Sequence, residues 1–243
     1  MSICRILGVP FTNISPSEAV DRVVSYLNGN GKSMIFTPNP EMVMEARKNK
    51  EFMEILNSST MNVPDGIGIV YGSKFTQNPI KERVAGYDLM LGVFDKMKDM
   101  GKTAYFFGGA PGIADRAKAA IEERFPGLKV VGTANGYFDK EREKEIIAEI
   151  NRLKPDLLLV GIGFPKQEKW IYDHIRELNI KAAAGVGGSF DGWCGNVPRA
   201  PKFFIDHNIE WFYRLMKQPS RIGRMMQLPL FMLVVIKNKI FGK

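Results

Sequence analysis

Along most of the chain, a short apolar run is followed by a longer stretch whose apolar positions recur every three or four residues. "SMIF" is such a run and ends at Thr37. The stretch behind it, "PEMVMEARKNKEFMEIL", puts Met42, Ala46, Phe52, Ile55 and Leu56 on one helical stripe. "MNVPD" predicts the next strand, with a turn at Pro64, and "GIGIVYGSKF" a helix opened by Asp65 and Gly66. "GYDLMLGVFDKMKDMG" predicts an amphipathic helix stopped at Gly101. Further strands are predicted at "TAYFFGG", "DLLLVGIG" and "KAAAGVGGSFD", and "KVVGTANGYF" reads as strand and loop. The helices between them are "PGIADRAKAAIEERFPG", "KEREKEIIAEINRLKP" and "PKQEKWIYDHIRELN". The strands are short and apolar without alternation, as strands covered on both faces are. Residues 1–195 are therefore expected to form an α/β domain, a mostly parallel sheet sandwiched by helices in a Rossmann-like arrangement.

Ligands of such sheets bind beyond the carboxyl ends of the strands. That rule selects Thr37 to Asn39, Asp65-Gly66, Gly108-Gly109, Gly132 to Tyr137, Gly161 to Gln167 and Gly185 to Asp191.

From residue 196 the rhythm changes. "APKFFIDHNIEWFYRLMKQPS" predicts one helix with aromatics on one side, ending near Pro219. The apolar run Leu228–Ile236 behind it is far shorter than the roughly 20 residues of a spanning helix. Charge separates this tail as well. The chain has a net charge of +8, and nine of its 34 Lys and Arg lie beyond residue 195 against two acids, Asp206 and Glu210. A basic tail implies a negative partner. An apolar run bracketed by bases fits a helical appendage, residues 196–243, that lies in one membrane leaflet. The plainer alternative is a helix docked on the body. Off a membrane, an exposed apolar tail is expected to self-associate or to be disordered.

The 243 residues, 45% of them hydrophobic, suffice for a full core. Cys4 and Cys194 form no metal-ligand spacing and suggest no disulfide framework. The first residues carry no apolar run of signal-peptide length, so a cytoplasmic protein is expected.

Neither a zinc motif, a Walker A loop, a G-x-S-x-G elbow nor a D-x-D pair is present. A diphosphate would have to be neutralised by amides and basic side chains. His174 and His207 lie among charged neighbours in helical segments and read as surface residues. "FFGGAPGIADRA" is a glycine-rich turn whose amides can approach phosphate, though glycines there also serve strand–helix packing. In "GIGFPKQEKW", Lys166, Gln167 and Lys169 open a helix, and Gln167 is suited to bond a sugar or a phosphate. Asp65 has two readings. As an N-cap it would contribute about 0.5–2 kcal/mol. As a general base it would accept a proton from a substrate hydroxyl. Thr37, Asn39 and Arg83 can surround the same substrate, but residue types alone leave both readings open.

"TPNPEMVMEARKN", "VPDGIGIV", "ERVAGYDLM", "FFGGAPG", "GIGFPKQEKW" and "GVGGSFDGWCGNVPRAPKFF", in this order and spacing, resemble the WecG/TagA/CpsF family of glycosyltransferases. The resemblance runs from about Thr37 to the tail and is strongest to its teichoic-acid N-acetylmannosaminyltransferases. It implies an inverting, metal-independent enzyme without a cofactor. The implied donor is UDP-N-acetylmannosamine, and the implied acceptor is N-acetylglucosamine on undecaprenyl diphosphate. Asp65 is then the implied general base, with Thr37, Asn39, Arg83 and Gln167 lining the pocket. The loops around Gly108, Gly109, Gly136, Gly187 and Asp191 would hold the nucleotide. A lipid-borne acceptor implies peripheral attachment to the cytoplasmic face of the membrane. Arg214, Arg221 and Arg224 in the tail would meet a diphosphate, anionic lipid head groups, or both.

Three other readings compete. Family members also use N-acetylmannosaminuronic acid or glucose donors for other surface polysaccharides. A nicotinamide oxidoreductase needs G-x-G-x-x-G after the first strand, where this chain has T-P-N-P. A nucleic-acid binder needs bases and aromatics spread along a groove, whereas these bases flank an apolar run, so no nucleic-acid partner is expected.

Overall fold

A computed structural model describes residues 2–207, 209–217, 223 and 226–241, with the side chains of residues 206, 214 and 217 left undescribed. A hairpin of β1 (Ile3–Ile6) and β2 (Val9–Thr12) comes first, followed by α1 (Pro16–Leu27). The hairpin turns at Leu7 and Gly8, both at positive φ. α1 opens on a capping box: the Ser15 side chain accepts from the Glu18 amide, and the Glu18 carboxylate accepts from the Ser15 amide.

The remaining elements are β3 (Ser33–Phe36), α2 (Pro40–Ala46), α3 (Lys50–Asn57), β4 (Met61–Asn62), α4 (Ile67–Ser73), α5 (Gly86–Met97), β5 (Thr103–Gly108) and α6 (Ile113–Arg124). They continue with β6 (Lys129–Ala134), α7 (Lys140–Leu153), β7 (Leu157–Gly161), α8 (Lys166–His174), β8 (Ala182–Gly185) and α9 (Ser189–Trp193). The tail holds α10 (Lys202–Asp206), α11 (Glu210–Lys217) and, numbered here as the twelfth described helix, α12 (Gln227–Phe241). Six strands form one parallel sheet in the order β4-β3-β8-β7-β5-β6. β3, β7 and β8 are buried at every position, which explains their unbroken apolar sequence. One core layer includes Phe36, Val43, Phe52, Phe107 and Ile171. The other includes Val23, Leu91, Phe94, Phe106 and Phe190.

Several expected elements break. The helix expected over "PEMVMEARKNKEFMEIL" divides because Asn49 takes an extended conformation and caps α3, accepting from the Phe52 amide. The strand "MNVPD" pairs only at Met61 and Asn62 before Pro64. "KAAAGVGGSFD" is strand only to Gly185, and Ser189 already belongs to α9. The single tail helix becomes α10 and α11.

α12 is docked on the body. Phe231 and Val235, one turn apart, are buried in the first core layer against α2 and α4. Gly68 and Gly72 of α4 make room for it. A Cβ on Gly68 would lie 2.3 Å from Leu228 Cδ1, and one on Gly72 would lie 2.7 Å from Phe231 Cε1. The expected leaflet helix thus packs one face on the protein, while Leu230, Leu233, Ile240 and Phe241 remain exposed on it.

Candidate active site

Three loops at the carboxyl edge of the sheet are tied by backbone hydrogen bonds. The Asp65 amide donates to the Pro38 carbonyl at 3.2 Å, and the Val84 amide donates to the Pro64 carbonyl at 2.9 Å. Thr37 packs on the start of α5, where a Cβ on Gly86 would lie 2.9 Å from Thr37 Cγ2. Asn39 is the N-cap of α2, its Oδ1 accepting from the Met42 amide at 3.0 Å. Thr37, Asn39, Asp65 and Arg83 are therefore gathered at the ends of β3 and β4.

The N-cap of α4 is Gly66, at φ 88°. Asp65 stands one residue earlier. Its side chain is 31% exposed, and its Oδ1 lies 3.5 Å from Arg83 Nε. Arg83 also donates to Glu210 Oε2 at 3.1 Å through Nη2. Burial works against the guanidinium charge, but Asp65 and Glu210 more than offset it and hold the Arg83 pKa above its ordinary value. Glu210 was not expected here. As the last acid of the chain, opening α11, it gave only a faint signal.

A cleft of about 610 Å³ is lined by Arg83 together with Val20, Ile67, Val70, Lys81, Leu89 and Ile205 among others. Asp65 is not among its lining residues, so the cleft adjoins the carboxylate site and does not contain it.

Gln167, expected to reach substrate, is itself buried. Its Nε2 donates to Glu168 Oε1 at 2.7 Å, and its Oε1 accepts from the Gly187 amide at 3.0 Å. Glu168, which the sequence did not single out, is 1% exposed, and burial pushes its carboxyl up to about 7. Gly187, at φ 51°, lies just past β8, the strand that pairs with β3.

The glycines farther along the edge are packed against backbone. The Gly109 amide donates to the Gly161 carbonyl at 3.0 Å, and the Gly136 amide to the Gly109 carbonyl at 2.8 Å. A Cβ on Gly108, which has φ 143°, would lie 2.4 Å from the Gly161 carbonyl carbon. Asp191, on α9, accepts from Asn196 Nδ2 at 2.7 Å, which ties it to the loop after that helix. Arg221 and Arg224 lie outside the described residues. Arg214 falls within α11, but its side chain is not described.

The gathered side chains provide a partly exposed carboxylate suited to accept a proton and a half-buried cation beside it suited to hold an anionic group. A model of the family described as "Glycosyl transferase WecG/TagA/CpsF family" matches residues 4–243. A Bacillus spizizenii protein named N-acetylglucosaminyldiphosphoundecaprenol N-acetyl-beta-D-mannosaminyltransferase is 37% identical over 215 residues, covering 88% of this chain and 83% of its own. Its namesake in Bacillus subtilis strain 168 is 36% identical over 240 residues, covering 96% of this chain and 91% of its own. One from Staphylococcus aureus strain MRSA252 is 33% identical over 236 residues, covering 96% and 92%.

Proposed function

The chain belongs to the WecG/TagA/CpsF family of glycosyltransferases, and from that premise we propose that it moves N-acetylmannosamine from UDP to N-acetylglucosamine on undecaprenyl diphosphate. The product would be the disaccharide of the linkage unit that tethers wall teichoic acid. The observation that carries this reading is the Asp65 carboxylate beside Arg83, where the ends of β3 and β4 meet.

In this reading Asp65 takes the proton of the acceptor's 4-hydroxyl as that oxygen attacks the anomeric carbon of the donor. The new C–O bond forms on the face opposite the nucleotide. The bond to UDP breaks, its electron pair leaves with the diphosphate, and the configuration inverts. Arg83 lies close enough to Asp65 to meet the acceptor sugar or a diphosphate, and its charge is secured by two carboxylates. Thr37 and Asn39 line the acceptor side. The turn at Gly187 and α9 with Asp191 take the nucleotide, together with the strand ends at Gly108, Gly109 and Gly136. With no metal, the charge developing on UDP is met by Arg83, backbone amides and the basic tail, including Arg214, Arg221 and Arg224. A lipid-borne acceptor puts the reaction at the cytoplasmic face of the membrane. The exposed apolar residues of α12 and the neighbouring bases support peripheral attachment there. No described helix is long and apolar enough to cross a membrane.

The test is a transfer assay in EDTA with UDP-N-acetylmannosamine and a short-chain lipid diphosphate carrying N-acetylglucosamine. Disaccharide from the wild type, and roughly 10²–10⁴-fold less from Asp65→Ala, is the expected result. Product only with UDP-N-acetylmannosaminuronic acid or UDP-glucose would replace the donor sugar. Equal product from both proteins would remove Asp65 as the base.

A further inference from the structure

Glu168 is an ionisable side chain in the first turn of α8, facing the sheet at 1% exposure. A carboxyl so placed loses its hydration and needs a local partner. Its Oε1 has one in Gln167 Nε2 at 2.7 Å. Its Oε2 is buried with no hydrogen-bond partner among the described residues. The relay continues outward, because the Gln167 carboxamide, fixed on its nitrogen side by Glu168, presents its oxygen to the Gly187 amide at 3.0 Å.

Both side chains lie against the last residue of β8. A Cβ on Gly185 would be 2.8 Å from Gln167 Nε2 and 3.1 Å from Glu168 Oε1, so glycine there is what admits them. Among the described residues, no heavy atom beyond the chain neighbours lies within 4 Å of where a Cβ on Gly187 or Gly188 would stand. Gly187 also has φ 51°, a conformation that glycine readily leaves. Among the described residues the turn is thus tied on its inner side through Gln167 and uncovered on its outer side, where a ligand would approach. An amide hydrogen-bonds through either end, and the Glu168 oxygen that accepts from Nε2 sets the orientation with the nitrogen inward.

We propose that Glu168 is a positioning residue: through the Gln167 carboxamide it fixes the Gly187 turn at the end of β8, and thereby sets the affinity for the donor nucleotide. This rests on the reading above, in which that turn receives the nucleotide. Glu168 touches no substrate. It acts by holding Gln167 in the orientation that accepts from Gly187.

The experiment compares the full chain with Glu168→Leu, which fills the space without an acceptor, and Glu168→Gln, which keeps an acceptor oxygen. Three quantities are read: the KM of each substrate, UDP affinity by calorimetry, and exchange of the Gly187 amide by NMR. Glu168→Leu is expected to raise the donor KM and the UDP Kd by roughly ten-fold, the scale of one lost hydrogen bond to a charged group. The acceptor KM stays near wild type and the Gly187 amide exchanges faster. Glu168→Gln restores all of these. If Glu168→Leu does not fold, Glu168→Asp, whose shorter side chain cannot reach Gln167 as well, replaces it with the same expected changes. A folded variant with lowered Tm but wild-type UDP affinity and Gly187 exchange would overturn the proposal and leave Glu168 a packing residue. A wild-type chain that binds no UDP would sink the functional reading instead. Gly187 exchange then decides the relay by itself, and an unchanged rate in Glu168→Leu would sink that too.

Discussion

Arg83 stands between a carboxylate from the end of β4 and one from the tail, Asp65 at 3.5 Å and Glu210 at 3.1 Å. Removing the first removes the proposed base, so Asp65→Asn should keep UDP binding while transfer falls by about 10²–10⁴-fold; calorimetry and turnover read the two separately. Glu168 offers a test by pH. Burial raises its carboxyl from 4.5 to about 7, so the folded chain holds that proton more tightly than the unfolded one. The resulting stability is fully present below pH 4.5 and is lost as pH rises through about 7. Glu168→Gln cannot ionise, so it should gain on the wild type between about pH 5 and about pH 8. Urea midpoints at both values check this, and a constant offset would contradict it. Asp65, Thr37 and Asn39 could be picked out because each lies just past a strand, whereas Arg83, three residues before α5, came from the motif that carries the family resemblance. Glu168 could not, since a glutamate in a first helical turn ordinarily faces water. Its burial is admitted by Gly185 at the end of β8, which lies outside its own helix. Gln167 was legible as a polar residue near the edge, but its partners are the protein's own Glu168 and Gly187.

α12 and α4 meet as a helix with bulky residues against one with glycines four positions apart. Phe231→Ala should cost about 3–5 kcal/mol of stability by opening a cavity between α2 and α4. Gly72→Val should cost about 1–3 kcal/mol by overpacking, because its Cβ would meet the Phe231 ring. Denaturant titration reads both losses, and faster proteolysis within residues 227–241 would place them at this contact. Here the sequence left two placements open. An apolar run flanked by bases is what either a docked helix or a leaflet helix presents, and only Gly68 and Gly72, some 160 residues earlier, reveal the docked face. The hairpin β1–β2 and α1 went unread although "SPSE" carries a capping box, because the turn at Leu7 and Gly8 asks a leucine for positive φ. The buried strands β7 and β8, by contrast, were plain from their uninterrupted apolar runs.

At the scale of the whole molecule, strand–helix alternation revealed a parallel sheet but not its order. β8, last in the chain, inserts between β3 and β7, and this brings Gly187 beside the strand end that carries Thr37. The net charge of +8 is a property of the same scale. Binding to vesicles rich in anionic lipid should weaken as salt rises, while a remainder persists from apolar burial. Flotation at low and at high salt checks this, and binding that vanishes entirely with salt would leave only the electrostatic part. α4 begins two residues after Asp65 and packs against α12, whose outer side carries Leu230, Leu233, Ile240 and Phe241. The aspartate and the greasy strip therefore belong to one solid block. In the proposed attachment, a molecule resting on that strip would carry its aspartate at a set bearing to the surface, and its search for a partner would become a slide across a plane.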